Sequence, residues 1–438
     1  MSALKRIEDV PARQMCCGCG ACAFAAPAEI EMTDAYELGR RPVFKDGAVS
    51  PAASSAALAV CPGIELAHDE RSVAPGSLPE LLGAWGPVLA VWEGAAGDAG
   101  LRFAGSSGGA ASALALYCME REGMAGTLHI ASRADVPYLN ETVLSTTRAE
   151  LLAATGSRYA PASPCDRLAD VERASAPCVF IGKPCDVAAT FKARATRPQL
   201  DANLGLTVAI FCAGTPSLQG THKLLEYMGI KEPLSAVRSI RYRGNGWPGN
   251  ASIVVETADG DKTYETTYRD SWHQLQKYRQ WRCYVCVDHT GEFADVSVGD
   301  PWYREIAPGE AGSSLIIART PRGKRIIEAA IAAGYLDARE AEVWKVAASQ
   351  PGLLQTRGAL WGRLWVCRLL GAATPVFRRL PMFRHWWREL TLREKFQSFA
   401  GTVKRVFSKR LRERIAYEPF VPVSPATRDS ESSPPVGS

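Results

Sequence analysis

The sequence predicts a mixed α+β and α/β fold with a cysteine-rich N-terminal segment and a helical C-terminal extension. Three observations carry this. Between residues 81 and 235, strands ending in Gly, Cys or Ser alternate with helices, the pattern of an α/β core. From Ile240, short runs alternate polar and apolar residues, as strands of an antiparallel sheet do. Beyond about Arg339, Arg and Lys recur at helical intervals. The expected division is 1–80, 81–235, 236–338, 339–415 and a disordered tail over 416–438.

Composition sets the limits. The 438 residues, 47% hydrophobic and 22% charged, suffice for two or three packed units. The net charge of +5 is too mild to argue for nucleic acid, and it is local. Arg368 to Arg414 holds 13 Arg and Lys against three Glu, so the remaining chain is near neutral or slightly acidic. Runs of 18 apolar residues are absent, and the N-terminal MSALKRIEDVPARQMCC lacks an apolar signal region, which argues for a cytoplasmic protein. In a reducing compartment, 13 cysteines read as metal or redox ligands rather than a disulfide framework.

The densest motif comes first. Cys16, Cys19 and Cys22 have the CxxCxxC spacing of a 4Fe–4S loop, and the interleaved glycines let backbone wrap a cluster. A bacterial ferredoxin would continue with CxxxCP, where this chain has Ala26-Pro27. Cys61-Pro62 offers the missing ligand after a hairpin (EIEM, RRPVF) and a helix from Pro51 to Val60, giving a ferredoxin-like segment. Cys17 is read as a non-ligand. The alternatives are a zinc knuckle or buried free thiols.

In the core, Val88 to Trp92 reads as a strand, followed by Gly105-Ser106-Ser107-Gly108-Gly109 and a helix from Ala110 to Glu122. Strand, Gly/Ser loop and helix make an anion site; the bland reading is a helix capped by Ser106 or Ser107. No GxGxxG or Walker lysine is present, which disfavours Rossmann and P-loop folds. Further strands are expected at Gly126–Ala131, Val179–Ile181 and Leu206–Phe211, with a loop reaching Val143. Helices are expected at Arg148–Thr155, from Cys185 to Lys192, and at Ser217–Met228. Two of these strands end in Gly182-Lys183-Pro184-Cys185 and in Cys212-Ala213-Gly214.

The antiparallel runs are Ile240–Gly244, Ala251–Thr257 and Lys262–Tyr268, with a helix from Ser271 to Gln280. Then comes CYVCVDHTGEFADVSVGDPW, whose Cys283 and Cys286 can reach one cluster. Asp295–Gly299 and Ser314–Arg319 read as closing strands, before a helix at Gly323–Ala333. With Cys185 and Cys212, the CxxC pair makes four potential ligands for a second cluster. Of the histidines near these motifs (His129, His273 and His289), His289 is the best placed proton donor, against a purely structural role. The basic run at 366–414 reads as a face for a membrane surface or an acidic partner, or as a solvated helix packed on the body.

Seven blocks in order now fall together: CCGCGAC with a later CPG, RFAGSSGGAASALALYCME, GSRYAP, FIGKPCD, FCAG, IRYRGNGWPG and CYVCVDHTGEFADVSVGD. From Cys16 to Ala333 the chain resembles the coenzyme F420 hydrogenase/dehydrogenase β-subunit family. The resemblance implies FAD and one or two 4Fe–4S clusters, with electrons passed singly to a flavin that exchanges a hydride with its substrate. It assigns Cys16, Cys19, Cys22 and Cys61 to the first cluster and Ser106, Ser107, Gly108 and Gly109 to the FAD phosphates. Cys185, Cys212, Cys283 and Cys286 are assigned to a second cluster. Lys183, Asn245, Trp247 and Asp300 become flavin or substrate contacts, and His289 and Lys183 the candidate catalytic pair.

On this reading the chain is an oxidoreductase acting on F420 or another small hydride carrier. Its partners are ferredoxin or another redox subunit, with no nucleic acid, and it can form an oligomer. The alternatives are a non-catalytic electron-transfer subunit, a ferredoxin-dependent reductase of a sugar or isoprenoid intermediate, and a zinc-bearing structural protein.

Overall fold

The computed structural model describes residues 4–45, 47–68, 73–307 and 309–422. Residues 69–72 and most of the expected tail lie outside these. The strands are β1 (Ile30–Ala35), β2 (Gly39–Phe44), β3 (Glu65–Ala67), β4 (Ala90–Ala96), β5 (Gly126–Ser132), β6 (Asn140–Ser145) and β7 (Cys178–Gly182). They continue with β8 (Leu204–Ile210), β9 (Val237–Arg241), β10 (Asn250–Thr257), β11 (Gly260–Thr267), β12 (Val296–Gly299), β13 (Ser314–Ala318), β14 (Leu336–Glu340) and β15 (Val376–Arg378).

An eight-stranded sheet of order β14-β4-β13-β12-β8-β7-β5-β6 forms the centre. β12, β8, β7 and β5 run parallel to one another. β13 is antiparallel to both β12 and β4, so β4 points the same way as the parallel set. The inner strands are mostly apolar, as strands covered on both faces are: Val179, Phe180, Leu206, Val208 and Val296 are all fully buried. Each such side chain contributes about 1.5–3 kcal/mol on leaving water. One consequence decides the site. The C-terminal ends of β4, β7, β8 and β12 lie on the same edge, and the chain turns there into Gly105–Gly109, Lys183, Cys212 and Asp300.

The mixed α/β architecture agrees with the sequence, with local differences. The strand expected at Val88 begins two residues later and runs on to Ala96, and a short helix, Ala99–Ala104, precedes the Gly/Ser loop. β6 occupies what reads as loop; it is an edge strand, pairing only with β5, and its partly exposed NETVLS carries little apolar signal. The helix expected to reach Gln280 ends at Leu275 in a 3-10 turn, Gln276–Tyr278. β9, β10 and β11 form a separate antiparallel sheet, whereas β12, β13 and β14 join the central one. The 236–338 stretch is therefore divided between two sheets.

The N-terminal segment has the expected β1–β2 hairpin and the helix Pro51–Val60, which Ser50 caps through Ala53 N–H. The C-terminal helices Leu353–Leu369 and Leu392–Ser408 close over this segment. Leu360, Leu364, Cys367 and Val406 share one core with Val10, Met15 and Cys22, and β15 pairs with β3. The tail expected to be disordered from 416 is anchored as far as Phe420. Its amide donates to Asp34 O and its ring stacks on Tyr36, because two aromatic side chains, Tyr417 and Phe420, find the hairpin surface.

Candidate functional site

The convergent strand ends enclose a cavity of about 490 Å³, in the range of sites for nucleotide-sized cofactors. Ser106, Ser107, Gly109, Lys183, Cys212 and Asp300 all line it. The helix Ala110–Arg121 starts at its wall with Gly109 as N-cap and no side-chain cap. Ser106 does not cap that helix; its Oγ accepts the Ser157 amide at 2.6 Å. The first-turn N–H groups are thus left to face a ligand, where partial positive charge suits phosphate. Gly108 has φ +75, and a Cβ there would lie 2.7 Å from the Gly312 carbonyl carbon. Only glycine lets the two loops meet this closely.

Lys183 does not stand free. Its ammonium contacts both Asp186 oxygens at 2.9 and 2.7 Å. Burial works against its charge, but Asp186 and the neighbouring Cys185 and Cys212 outweigh it and raise its pKa. It is a fixed cation at neutral pH, suited to hold an anionic group and unsuited to give up a proton. His289 is half-buried, and the desolvation lowers its pKa, so the ring is neutral. Its Nδ1 lies 2.9 Å from the Cys212 carbonyl and must donate there. Nε2 is then unprotonated, has no hydrogen-bond partner among the described residues, and belongs to a residue lining the cavity. In this tautomer Nε2 is the acceptor nitrogen of the neutral ring. His129 also lines the cavity but is engaged by Ser145 Oγ at 2.7 Å.

Asp300 is held by Arg243, through Nη1 at 2.8 Å and through Nη2, and by Trp247 Nε1 at 2.9 Å. Arg243 is buried and lies 4.4 Å from the Tyr268 ring centre. Trp302 stacks between Trp247 and Tyr268. Asn245 and Trp247 line an adjoining open cleft instead of the main cavity, and Tyr268, Trp272 and Trp302 form the wall shared by both. Arg243, Tyr268 and Trp302 escaped the sequence reading. Arg243 had a signal in its place next to the GNGWPG loop; the aromatic wall had none, because Trp302 is far in sequence from Tyr268 and Trp272, which share one helix.

The eight predicted cysteine ligands fall into two groups. The charges of Cys16, Cys19 and Cys61 all act on Cys22, whose thiol burial first raises. Cys61 is pushed up to about 12 by burial and by Cys19 and Cys16. Likewise burial, then Cys283 and Cys185, push Cys212 up to about 12, and Cys286 feels Cys185 and Cys283. Several sulfurs accept backbone N–H bonds: Cys16 from Gly18, Cys212 from Gly214 and Cys283 from Thr215. Gly20, at φ +92, brings Cys19 against the Asp166 backbone, where a Cβ would meet the Asp166 nitrogen at 2.7 Å.

Two further cysteines join them. Cys17 hydrogen-bonds Cys185 of the second group, and Cys165 bonds Cys19 of the first. Arg282 is a buried cation facing Cys17, Cys286, Cys185 and Cys283, and it donates to Pro62 O beside Cys61. Among the described residues, no three His, Cys, Asp or Glu side chains are close enough to hold a single metal ion. A four-iron cluster takes each thiolate on a different iron and needs its sulfurs further apart than one ion does.

Residues 91–169 match the family model described as coenzyme F420 hydrogenase/dehydrogenase, beta subunit N-term, and residues 177–343 match the model of its C terminus. The chain belongs to this family. Coenzyme F420 hydrogenase subunit beta of Methanosarcina barkeri is 25% identical over 252 residues, which is 56% of this chain and 78% of the relative. The subunit of the same name from Methanococcus voltae is 26% identical over 242 residues, 53% of this chain and 77% of the relative. A solved structure of the F420-reducing NiFe hydrogenase complex from Methanosarcina barkeri aligns with a TM-score of 0.46 and 20% identity, over 66% of this chain and 95% of that one. Membership makes the chain a redox protein of the oxidoreductase type. Lys183, Cys185, Cys212, Cys283 and Cys286 lie inside the matched ranges, whereas Cys16, Cys19, Cys22 and Cys61 precede them.

Proposed function

We propose that the chain is an iron–sulfur flavoprotein oxidoreductase. It exchanges electrons singly with a redox partner and a hydride with coenzyme F420 or another small molecule. The observation that carries this reading is the junction of the second cysteine group with the cavity at the sheet edge: Cys212 lines the cavity wall and also faces Cys283 and Cys185. When bound, iron–sulfur clusters supply one-electron transfer, and a flavin supplies the junction between one-electron and hydride chemistry.

The residues present fit these groups. Buried thiols that stay protonated when alone become good ligands once iron supplies the compensating positive charge. Cys16, Cys19, Cys22 and Cys61 would hold one cluster, and Cys185, Cys212, Cys283 and Cys286 the other. Ser106, Ser107, Gly108 and Gly109 would receive the FAD phosphates through the uncapped helix start. Lys183 orients an anionic group inside the cavity, and His289 Nε2 accepts a hydrogen bond there. The Trp302 and Tyr268 wall keeps water from the cavity on the side of the adjoining cleft, where Asn245 and Trp247 meet the substrate.

The relatives are named as hydrogenase subunits, which supports a partner such as ferredoxin or another redox subunit. The deciding experiment is iron, acid-labile sulfide and flavin per chain on anaerobically purified protein. About eight irons with one FAD is the expected result, and Cys61→Ala should halve the iron. Zinc with no flavin would overturn the proposal.

A further inference from the structure

The helices beyond residue 343 lie outside both matched ranges and carry an apolar stripe of their own. On Leu392–Ser408, the residues Leu392, Phe396, Val403 and Phe407 are spaced four, seven and four apart. That spacing puts them on one helical face. All are exposed, by 85%, 71%, 40% and 56% respectively. The face that packs on the body is a different one and carries Ser398, Thr402 and Val406. Exposed Arg393 and Lys404 flank the stripe.

The preceding helix, Phe383–Glu389, adds to this surface. Phe383 and Trp387 are 52% and 64% exposed, alongside exposed Arg384 and Arg388. Lys395 joins the two helices: its Nζ donates to Trp387 O and lies 5.1 Å from that ring's centre. Behind them Trp361 packs on Trp386 at 4.6 Å, so the exposed rings stand on a firm base.

We propose that this face docks the protein onto an anionic lipid surface. Exposed Phe, Trp and Leu suit the boundary between headgroups and acyl chains, and the Arg and Lys beside them suit lipid phosphates. The charge argues for this occupant over a second copy of the chain. Arg368 to Arg414 holds 13 Arg and Lys against three Glu, so two such faces would repel each other. Residues 423–438 contain no Leu, Ile, Phe or Trp and bring no large apolar side chain to cover the stripe. An acidic protein would match the cations but has no stated need for so wide an apolar stripe.

The test is co-sedimentation of the full chain with vesicles of phosphatidylcholine, alone or mixed with phosphatidylglycerol. The expected result is binding to the mixed vesicles, release by high salt, and little binding to phosphatidylcholine alone. Phe396→Ser with Phe407→Ser should weaken partitioning by about tenfold or more. Arg393→Glu with Lys404→Glu should do likewise. These side chains are exposed, so circular dichroism and thermal melting of both variants should match the parent. Three results would overturn the proposal: no binding to mixed vesicles, equal binding to both vesicle types, or binding that neither pair of substitutions weakens. Self-association through the stripe, seen by analytical ultracentrifugation without vesicle binding, would assign the face to a second copy instead.

Discussion

Gly108 and Asp300 show how closely the site depends on single side chains. A Cβ at Gly108 would sit against the Gly312 carbonyl in a backbone conformation that other residues avoid. Gly108→Ala should therefore push the two loops apart, lower flavin retained per chain severalfold after desalting, and cost about 1–3 kcal/mol in urea unfolding. Asp300 compensates a buried guanidinium: the Arg243 side chain is only 3% exposed. Asp300→Ala leaves that charge unpaired, and an unfolding free energy lower by about 3–5 kcal/mol is expected; a loss below about 1 kcal/mol would mean the pair is solvated. Both residues were singled out from the sequence as ligand contacts, and the structure adds what each does within the fold. Asp300 was read as a ligand contact; it lines the cavity and is also the partner of Arg243 and Trp247. Lys183 is likewise committed to Asp186. A motif says that a polar residue stands at a strand end; it does not say which buried charge it answers.

Strands and helices with strong periodicity were legible to within a few residues, because their apolar faces meet the interior wherever they pack. β6 was not, since an edge strand needs an apolar pattern on one face at most. The allocation of β12 to β14 was also out of reach, because sheet membership depends on which distant strand edge is open. The C-terminal helix Leu353–Leu369 belongs to the same class of long-range facts. Its Arg357 reaches across to Glu292, 2.5 Å away, with both side chains 2% exposed, and donates to Ala84 O at 2.8 Å. Arg357→Met should destabilise the protein by about 3–5 kcal/mol by stranding the Glu292 carboxylate. Arg357→Met with Glu292→Gln should recover part of that loss, measured in the same chemical denaturation. No recovery would show that packing, rather than charge, ties this helix to the body.

For the molecule as a whole, the N-terminal cysteine segment and the C-terminal helices form one core, so the two ends are expected to unfold together. Glu292 sits at this junction, bonded to His68 and Arg357. Burial alone would raise its pKa; Arg357 first and His68 next outweigh that and hold it at about 2. Its folded pKa is thus below the ordinary glutamate value of 4.5. The stabilisation it gives is complete above that value and is lost as the pH falls towards 2. Melting temperature should fall over this window, and Glu292→Gln should flatten the fall while lowering stability at neutral pH. An unchanged slope in the variant would remove Glu292 as its source.

The sequence by itself determined the class of the fold, the Gly/Ser loop before its helix, the eight cysteine candidates and the family. These are properties of local spacing and of ordered motifs. Tertiary structure alone decided that four strand ends share one edge, that Arg243, Arg282 and the aromatic wall belong to the site, and that Cys17 faces the second cysteine group. It also decided that His289 lines the cavity with its Nδ1 against the Cys212 carbonyl. The physical reason is the same in each case. Burial, pairing and protonation are set by what lies across the fold, and residues far apart in the chain become neighbours only after the sheet has formed.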